Sequence, residues 1–391
     1  MSAASTQRAG GPVAIVVISD LEFGGAQRQV IELANNMDPV RFDLHVVSLH
    51  DYVPLAQTLK QSERRLHVIQ RRGKFDITVA TRLAKLIRQL GAEVVHGYLF
   101  DAEIATRLAG RMTGAAVIGS ERNTNYKLKR INLLAYRCTR WCHDLTIANS
   151  RAGAEFNSQL LAQRPSTYRV VHNGVNAERF RPGDGTAIRK ELGIRPDELV
   201  IGMFASFKPQ KNHPFLLRAA KRVIETVPNT RLLFVGDELL MGMSGSVDFK
   251  QTVHKLVDEL GLRERCIFAG NRKDVERCYN ACDVTVLPSL FEGTPNVALE
   301  SMASGIPVIA TDVSDNAYVI PDGRVGFVVP LGDEQVMADR ICRLLGNEEL
   351  RRSMSAAARS WILEEFTGQR LADKTANVYD EALRMRSPRS R

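Results

Sequence analysis

Two carboxylates, Glu292 and Glu300, bracket the start of a helix that the sequence predicts after an apolar, strand-like run at 284–287. Between them lie Gly293, Thr294, Pro295, Asn296 and Val297. Thr294 is the candidate cap, and Pro295 fits the first turn because proline's missing N–H has no intrahelical partner there. Gly305 and Pro307 stop the helix. Backbone N–H groups and the aligned peptide dipoles make such a start attractive to phosphate. A carboxylate in the preceding loop, and a second about one and a half turns inside, would repel a phosphate that they touched, yet each suits a hydroxyl. The pattern reads as a clamp for a nucleotide sugar. The diphosphate would rest on the helix start, with Glu292 on a sugar hydroxyl and Glu300 on the ribose. The competing reading is a loop carboxylate beside a solvated helix residue.

A diphosphate needs positive charge, and Ala205-Ser206-Phe207-Lys208-Pro209-Gln210-Lys211-Asn212-His213-Pro214 offers it where a strand ends and a helix begins. Lys211 is the expected counter-charge, with Lys208 as a second source. Near the N-terminus, the strand-like run 13–19 leads into Gly24-Gly25-Ala26 and a helix expected over 27–37. A double glycine there lets backbone N–H groups approach a phosphate, although such turns also serve merely to save space.

These residues need a scaffold that delivers strand ends to one place. Apolar runs at 13–19, 44–49, 66–70, 94–98, 116–119, 145–148 and 169–172 alternate with helical patterns such as 77–90 and 102–112. A second series follows at 200–204, 231–236, 267–269, 284–287 and 327–330, with helices expected at 215–226, 249–260 and 275–281. This alternation is that of doubly wound α/β sheets, which bind ligands at the carboxyl ends of their strands. His96, Tyr98, Glu121 and Arg122 fall at such ends, and a satisfied buried imidazole is the alternative for His96. With 391 residues there is room for two domains. The boundaries read 1–180 and 181–391, with 181–197 as a linker rich in Pro, Gly and charge.

The signature of two glutamates with seven residues between them, Gly293 and Pro295 among those, and Met302-Ala303, Gly305 and Pro307 after, resembles that of retaining glycosyltransferase family 4. The likeness runs over nearly the whole chain. It implies the GT-B fold, two Rossmann-like domains facing across a cleft, with an acceptor-binding first domain and a nucleotide-sugar-binding second. The last helix, about 368–385, would return to brace the first domain, with Trp361 and Phe366 as anchors. The implied reaction moves a sugar from a nucleoside diphosphate sugar, a UDP-sugar before a GDP-sugar, to a hydroxyl of a glycan or lipid-linked acceptor, with retention. Lys211 and Glu292 carry the catalytic expectation. Gly24, Gly25, Ser206, Lys208, Asn271, Arg272, Gly293, Thr294, Pro295, Asn296, Val297 and Glu300 line the donor, with Asn271-Arg272 meeting the base through the backbone. His96, Glu121 and Arg122 face the acceptor or sugar. No metal and no cofactor are called for.

The chain departs from the family pattern in three places. Ser206 stands where relatives carry an arginine. Ser120-Glu121-Arg122-Asn123 replaces a histidine that approaches the transferred sugar, a role that passes to Arg122. Ser314-Asp315-Asn316-Ala317-Tyr318 follows Asp312 where two glycines and a glutamate are usual. These departures keep a non-catalytic sugar-binding or assembly subunit open as an alternative, alongside a sugar-nucleotide epimerase.

Charge sharpens the partner question. Residues 1–180 hold 24 Lys and Arg against 15 Asp and Glu, whereas the rest hold 29 of each, so the net +9 lies entirely in the first half. An anionic membrane surface or a phosphorylated acceptor fits that asymmetry, and a solvated basic surface is the alternative. Nucleic acid is not expected, because no binding motif accompanies the charge. The helix expected over 127–141 is the most basic, and its apolar residues suit either a headgroup layer or the core, with Leu134 and Trp141 assigned to the core. No run reaches the length of a membrane span and no signal-peptide core is present, so the expected location is cytoplasmic or peripheral on the inner face of the cytoplasmic membrane. The six cysteines read as buried free thiols.

Overall fold

The computed structural model describes residues 10–73, 76–122, 128–238 and 246–386, with side chains from 249 onward in the last segment. Its strands are β1 Val13–Ile18, β2 Asp43–Ser48, β3 Leu66–Val68, β4 Ala92–Tyr98, β5 Ala116–Glu121, β6 Leu145–Ala148 and β7 Tyr168–Val170, then β8 Leu199–Phe204, β9 Thr230–Val235, β10 Cys266–Gly270, β11 Val284–Leu287, β12 Val308–Thr311 and β13 Gly326–Val329. The first seven form one parallel sheet, ordered β3-β2-β1-β4-β5-β6-β7, and the last six another, ordered β10-β9-β8-β11-β12-β13.

The run that makes β1 shows why the sequence folds this way. Ala14, Val16 and Ile18 enter one apolar cluster and Val13, Ile15 and Val17 the opposite one, so successive side chains bury both faces of a central strand. The second sheet repeats the device: Val200 and Phe204 point into one cluster, Ile201 and Met203 into the other. Strand order reverses between β1 and β4 in the first sheet and between β8 and β11 in the second. Crevices outside the carboxyl ends open at such reversals.

The chain divides into two compact units, one comprising residues to Gly174 together with those from Gly368, the other Val175–Thr367. The crossing therefore precedes the 180/181 boundary read from the sequence. The side-chain amide of Gln29 fixes the end of the first passage, donating to the Gly174 carbonyl at 2.8 Å and accepting from the Gly174 N–H at 2.9 Å. Within the second unit, Val175 N–H donates to Phe366 O at 2.8 Å, and Val175 bridges Thr367.

Other expectations are corrected. The supposed linker 181–197 contains a helix, Thr186–Glu191, and buries Ile188 and Ile194 in the second unit's core. Trp361 and Phe366 pack with Tyr318 inside the second unit, so the helix Gly368–Arg386 docks on the first through Leu371, Ala376 and Tyr379 instead. The basic helix spans Arg130–Cys138, and Lys127 lies outside the described residues, as does Asn123. Leu134 and Trp141 are exposed, not core. All six cysteines are free, but Cys138 is exposed and only Cys142, Cys278 and Cys282 are buried.

Candidate functional site

In the second unit the two strands beside the reversal deliver the predicted charges. The exit of β8 forms a short turn, Pro209–Lys211, closed by Asn212 in the left-handed conformation at φ 54°. The exit of β11 carries Ser289 to Thr294. Leu290 N–H donates to Gln210 O at 2.9 Å, and Gln210 Nε2 donates to Phe291 O at 2.7 Å, which stitches the two loops together. Lys211 Nζ then lies 2.5 Å from Glu292 Oε1, with both side chains largely covered.

The loop of Lys211 is supported from below by Gly236, whose φ is 133°. A Cβ there would stand 2.3 Å from Ala205 O, so only glycine lets the end of β9 pass beneath Ala205-Ser206. Lys208 is half-buried nearby, and burial, followed by the charge of Lys211, depresses its ammonium pKa. His213 stacks on Phe207 at 4.6 Å, and burial, with the charge of Lys211 second, pushes its imidazole down to about 3.

The key helix spans Asn296–Ala303, and Pro295 occupies the cap position without a side-chain capping bond. Thr294 is therefore not the cap expected from sequence. Ala298 and Leu299 donate to Pro295 O at 3.1 and 3.3 Å, so helical bonding starts there and the amide of Val297 precedes it. Gly293, Thr294 and Pro295 are buried with Glu292. Glu300 is buried as well, not a solvated helix residue, and accepts from Tyr279 Oη at 2.9 Å. Tyr279 is itself held flat against Phe204, ring centroids 3.8 Å apart. Sequence reasoning missed Tyr279, Gln210 and Gly236; a glycine directly after a strand was the one available signal. Asn271 is exposed, and the Arg272 guanidinium is taken up by Asp274 at 2.9 and 2.8 Å and by Glu191 at 2.7 Å, which leaves the loop's backbone as its outward-facing chemistry.

The first unit assembles a separate polar group. Gly24 caps the helix Gly25–Asn36, which follows β1. On the neighbouring β4, His96 is buried and its Nδ1 lies 2.8 Å from Tyr379 Oη; Nε2 has no partner among the described residues. Burial, and next the Arg122 charge, holds this imidazole well below its ordinary pKa. Glu121 closes β5 and is buried. Arg122 follows it, its guanidinium 4.9 Å above the Tyr98 ring and donating to Asn173 Oδ1 at 3.0 Å. Among the described residues, no group of three or more His, Cys, Asp or Glu is placed to hold a metal ion.

Two family models match in succession: Glycosyltransferase Family 4 over residues 23–179 and Glycosyl transferases group 1 over 184–361. The chain belongs to glycosyltransferase family 4. It is 27% identical over 376 residues to the UDP-Gal:alpha-D-GlcNAc-diphosphoundecaprenol alpha-1,3-galactosyltransferase of Escherichia coli, covering 91% of this chain and 94% of that one. It is 26% identical to the N-acetyl-alpha-D-glucosaminyl L-malate synthase of Bacillus anthracis, covering 79% and 80%. Among solved structures, Anabaena HepE in complex with UDP matches with a TM-score of 0.82 at 20% identity, over 95% of this chain and all of that one. WaaG, a glycosyltransferase involved in lipopolysaccharide biosynthesis, matches at 0.69 with 18% identity, over 94% and 99%. This glycosyltransferase thus has the GT-B fold, and Lys211, Glu292 and Glu300 lie inside the segment matched by the group 1 model.

Proposed function

We propose that this glycosyltransferase transfers a sugar from a UDP-sugar to a hydroxyl of a lipid-linked or glycan acceptor, with retention at the anomeric carbon, in cell-surface polysaccharide or glycolipid synthesis. The observation that carries the reading is the Lys211–Glu292 pair beside the start of the helix Asn296–Ala303. As the bond to the anomeric carbon breaks, negative charge collects on the departing diphosphate, and preorganised positive groups there lower the barrier most. Lys211 and the amides at the helix start supply that stabilisation without a metal, and Lys208 adds a charge in the neighbourhood where Ser206 offers none. Glu292, once Lys211 turns to phosphate, accepts from a sugar hydroxyl. Glu300 accepts from the ribose, its carboxylate oriented by Tyr279. The base rests on the backbone at Asn271-Arg272. A donor phosphate oxygen takes the acceptor's proton, so no protein base is required.

Arg122, with His96 and Glu121 behind it, takes an anionic group on the acceptor side, and the E. coli relative, whose name specifies a diphosphoundecaprenol-linked acceptor, supports that choice. The enzyme would then work at the inner face of the cytoplasmic membrane. Among the described residues no helix is long and apolar enough to cross a membrane, so contact would be peripheral. Hydrolysis of a panel of UDP- and GDP-sugars by the purified protein tests the donor. Turnover of a UDP-sugar is expected, and a panel inert throughout, with no UDP binding by calorimetry, would return the reading to a non-catalytic subunit.

A further inference from the structure

We infer that the outer face formed by the helices Phe100–Thr113 and Arg130–Cys138, with Trp141, inserts into the headgroup layer of an anionic bilayer. The inference rests on the lipid-linked acceptor only for its purpose; its evidence is separate. Ile131 and Leu134 stand 63% and 56% exposed one helical turn apart, and Trp141 is 68% exposed. Leu108 and Met112, four residues apart on the preceding helix, extend the same apolar exposure. The two helices are locked side by side: Arg107 Nη1 donates to Tyr136 O at 3.2 Å, Phe100 meets the Tyr136 ring at 5.2 Å, and the Arg111 guanidinium lies 5.7 Å from the Trp141 ring. These are neighbouring groups on a fixed surface. Scattered exposed leucines would need no explanation, but a grouped set with a tryptophan does.

Charge selects the occupant. From Phe100 to Trp141 the sequence has eight Lys and Arg and three acidic residues, of which Glu103 and Glu121 are buried and Asp101 is paired with Arg71 at 2.6 Å. Arg111, Arg130, Arg137 and Arg140 are exposed and form no ion pair among the described residues. Apolar side chains accompanied by arginines that meet no carboxylate among the described residues match a surface of anionic phosphates above hydrocarbon. Trp141 suits that depth, because its Nε1 is already satisfied by Cys138 O at 2.8 Å and the ring can present its apolar body. A soluble acidic protein would satisfy the charges but would not account for so much apolar area next to them.

Co-sedimentation of the full chain with phosphatidylglycerol–phosphatidylcholine vesicles, compared with phosphatidylcholine alone, tests this. Strong pelleting only with the anionic lipid, falling as salt rises, is expected. In a Trp361→Phe background the remaining Trp141 emission should shift to the blue on binding. The double variant Leu134→Ser/Trp141→Ser, and separately Arg130→Glu/Arg137→Glu, should each lose at least tenfold in partitioning. Equal pelleting of both variants with wild type would overturn the inference, as would vesicle-free self-association on gel filtration that the serine variant abolishes. UDP affinity on the same preparations reports on the donor reading independently: if it is absent while vesicle binding is intact, the transferase assignment fails and the bilayer face stands.

Discussion

Lys211 Nζ lies 2.5 Å from Glu292 Oε1, and each residue sits on a loop leaving one of the two strands that flank the second sheet's reversal. The pair spans 81 positions of sequence, so it exists only because the doubly wound sheet puts β8 beside β11. Glu292 holds the ammonium in place before any donor arrives. In the proposed reading a diphosphate draws Lys211 partly away, which frees the carboxylate for a hydroxyl as the sugar enters.

If that exchange is correct, Lys211→Ala should cut turnover with the preferred donor by about a hundredfold, the usual scale for losing a preorganised charge-stabilising donor. Steady-state rates within threefold of wild type would remove Lys211 from the mechanism. Glu292→Gln keeps the shape but weakens the hold on both partners, and should lower kcat with little change in UDP affinity.

Tyr279 never touches the donor in the proposed arrangement; it aims Glu300. Tyr279→Phe deletes one hydrogen bond to a charged group, worth about 1.5 kcal/mol, so UDP should bind roughly tenfold more weakly. Calorimetry with UDP checks this, and Glu300→Ala should lose at least as much. Unchanged affinity in both would separate Glu300 from the ribose.

Lys208 should take up a proton when diphosphate binds. Its free ammonium is destabilised by burial and by Lys211, and an arriving dianion favours the charged form, so its pKa rises on binding. Across a pH series running from neutral up to the ordinary lysine value, UDP binding heats measured in buffers of different ionisation enthalpy should report net proton uptake, lost in Lys208→Met. Zero uptake in the wild type would exclude Lys208 from the phosphate environment.

Stability should fall as the solution is acidified below pH 6.5. The folded chain holds His213 near 3 and His96 well below 6.5, so unfolding binds protons that the native state refuses. The His213 contribution is complete above 6.5 and is lost toward 3, that of His96 is lost in the same direction, and the slope is about 1.4 kcal/mol per pH unit for each such histidine. Urea midpoints between pH 7 and about 5, above the carboxylate range, measure it. His213→Phe should flatten the slope, and a wild-type midpoint constant over that interval would refute the assignment.

Strands were legible because the β-branched runs at 13–18 and 284–287 have no other stable use than burial on both faces. Glu292 and Glu300 were legible from their spacing to glycine and proline. The cap was misread because Thr before Pro is a good local start, whereas the fold carries Pro295 itself at φ −77° and ψ 108° into the cap position. Leu134 and Trp141 were sent to the core because hydrophobicity alone cannot tell an inward face from an outward one. Tyr279 was missed because its partner is 21 residues away, and nothing local distinguishes a tyrosine that orients a carboxylate from one that fills space.

The pairing of Val175 with Thr367 makes the second unit, the donor half in the proposed reading, a cassette with adjoining ends. Such a cassette can be lifted out of a gene as one continuous stretch, and joining its ends needs only a short bridge. Expressed alone, residues 175–367 should fold and bind UDP, and a lineage could exchange sugar donors by trading this piece while keeping its acceptor half intact.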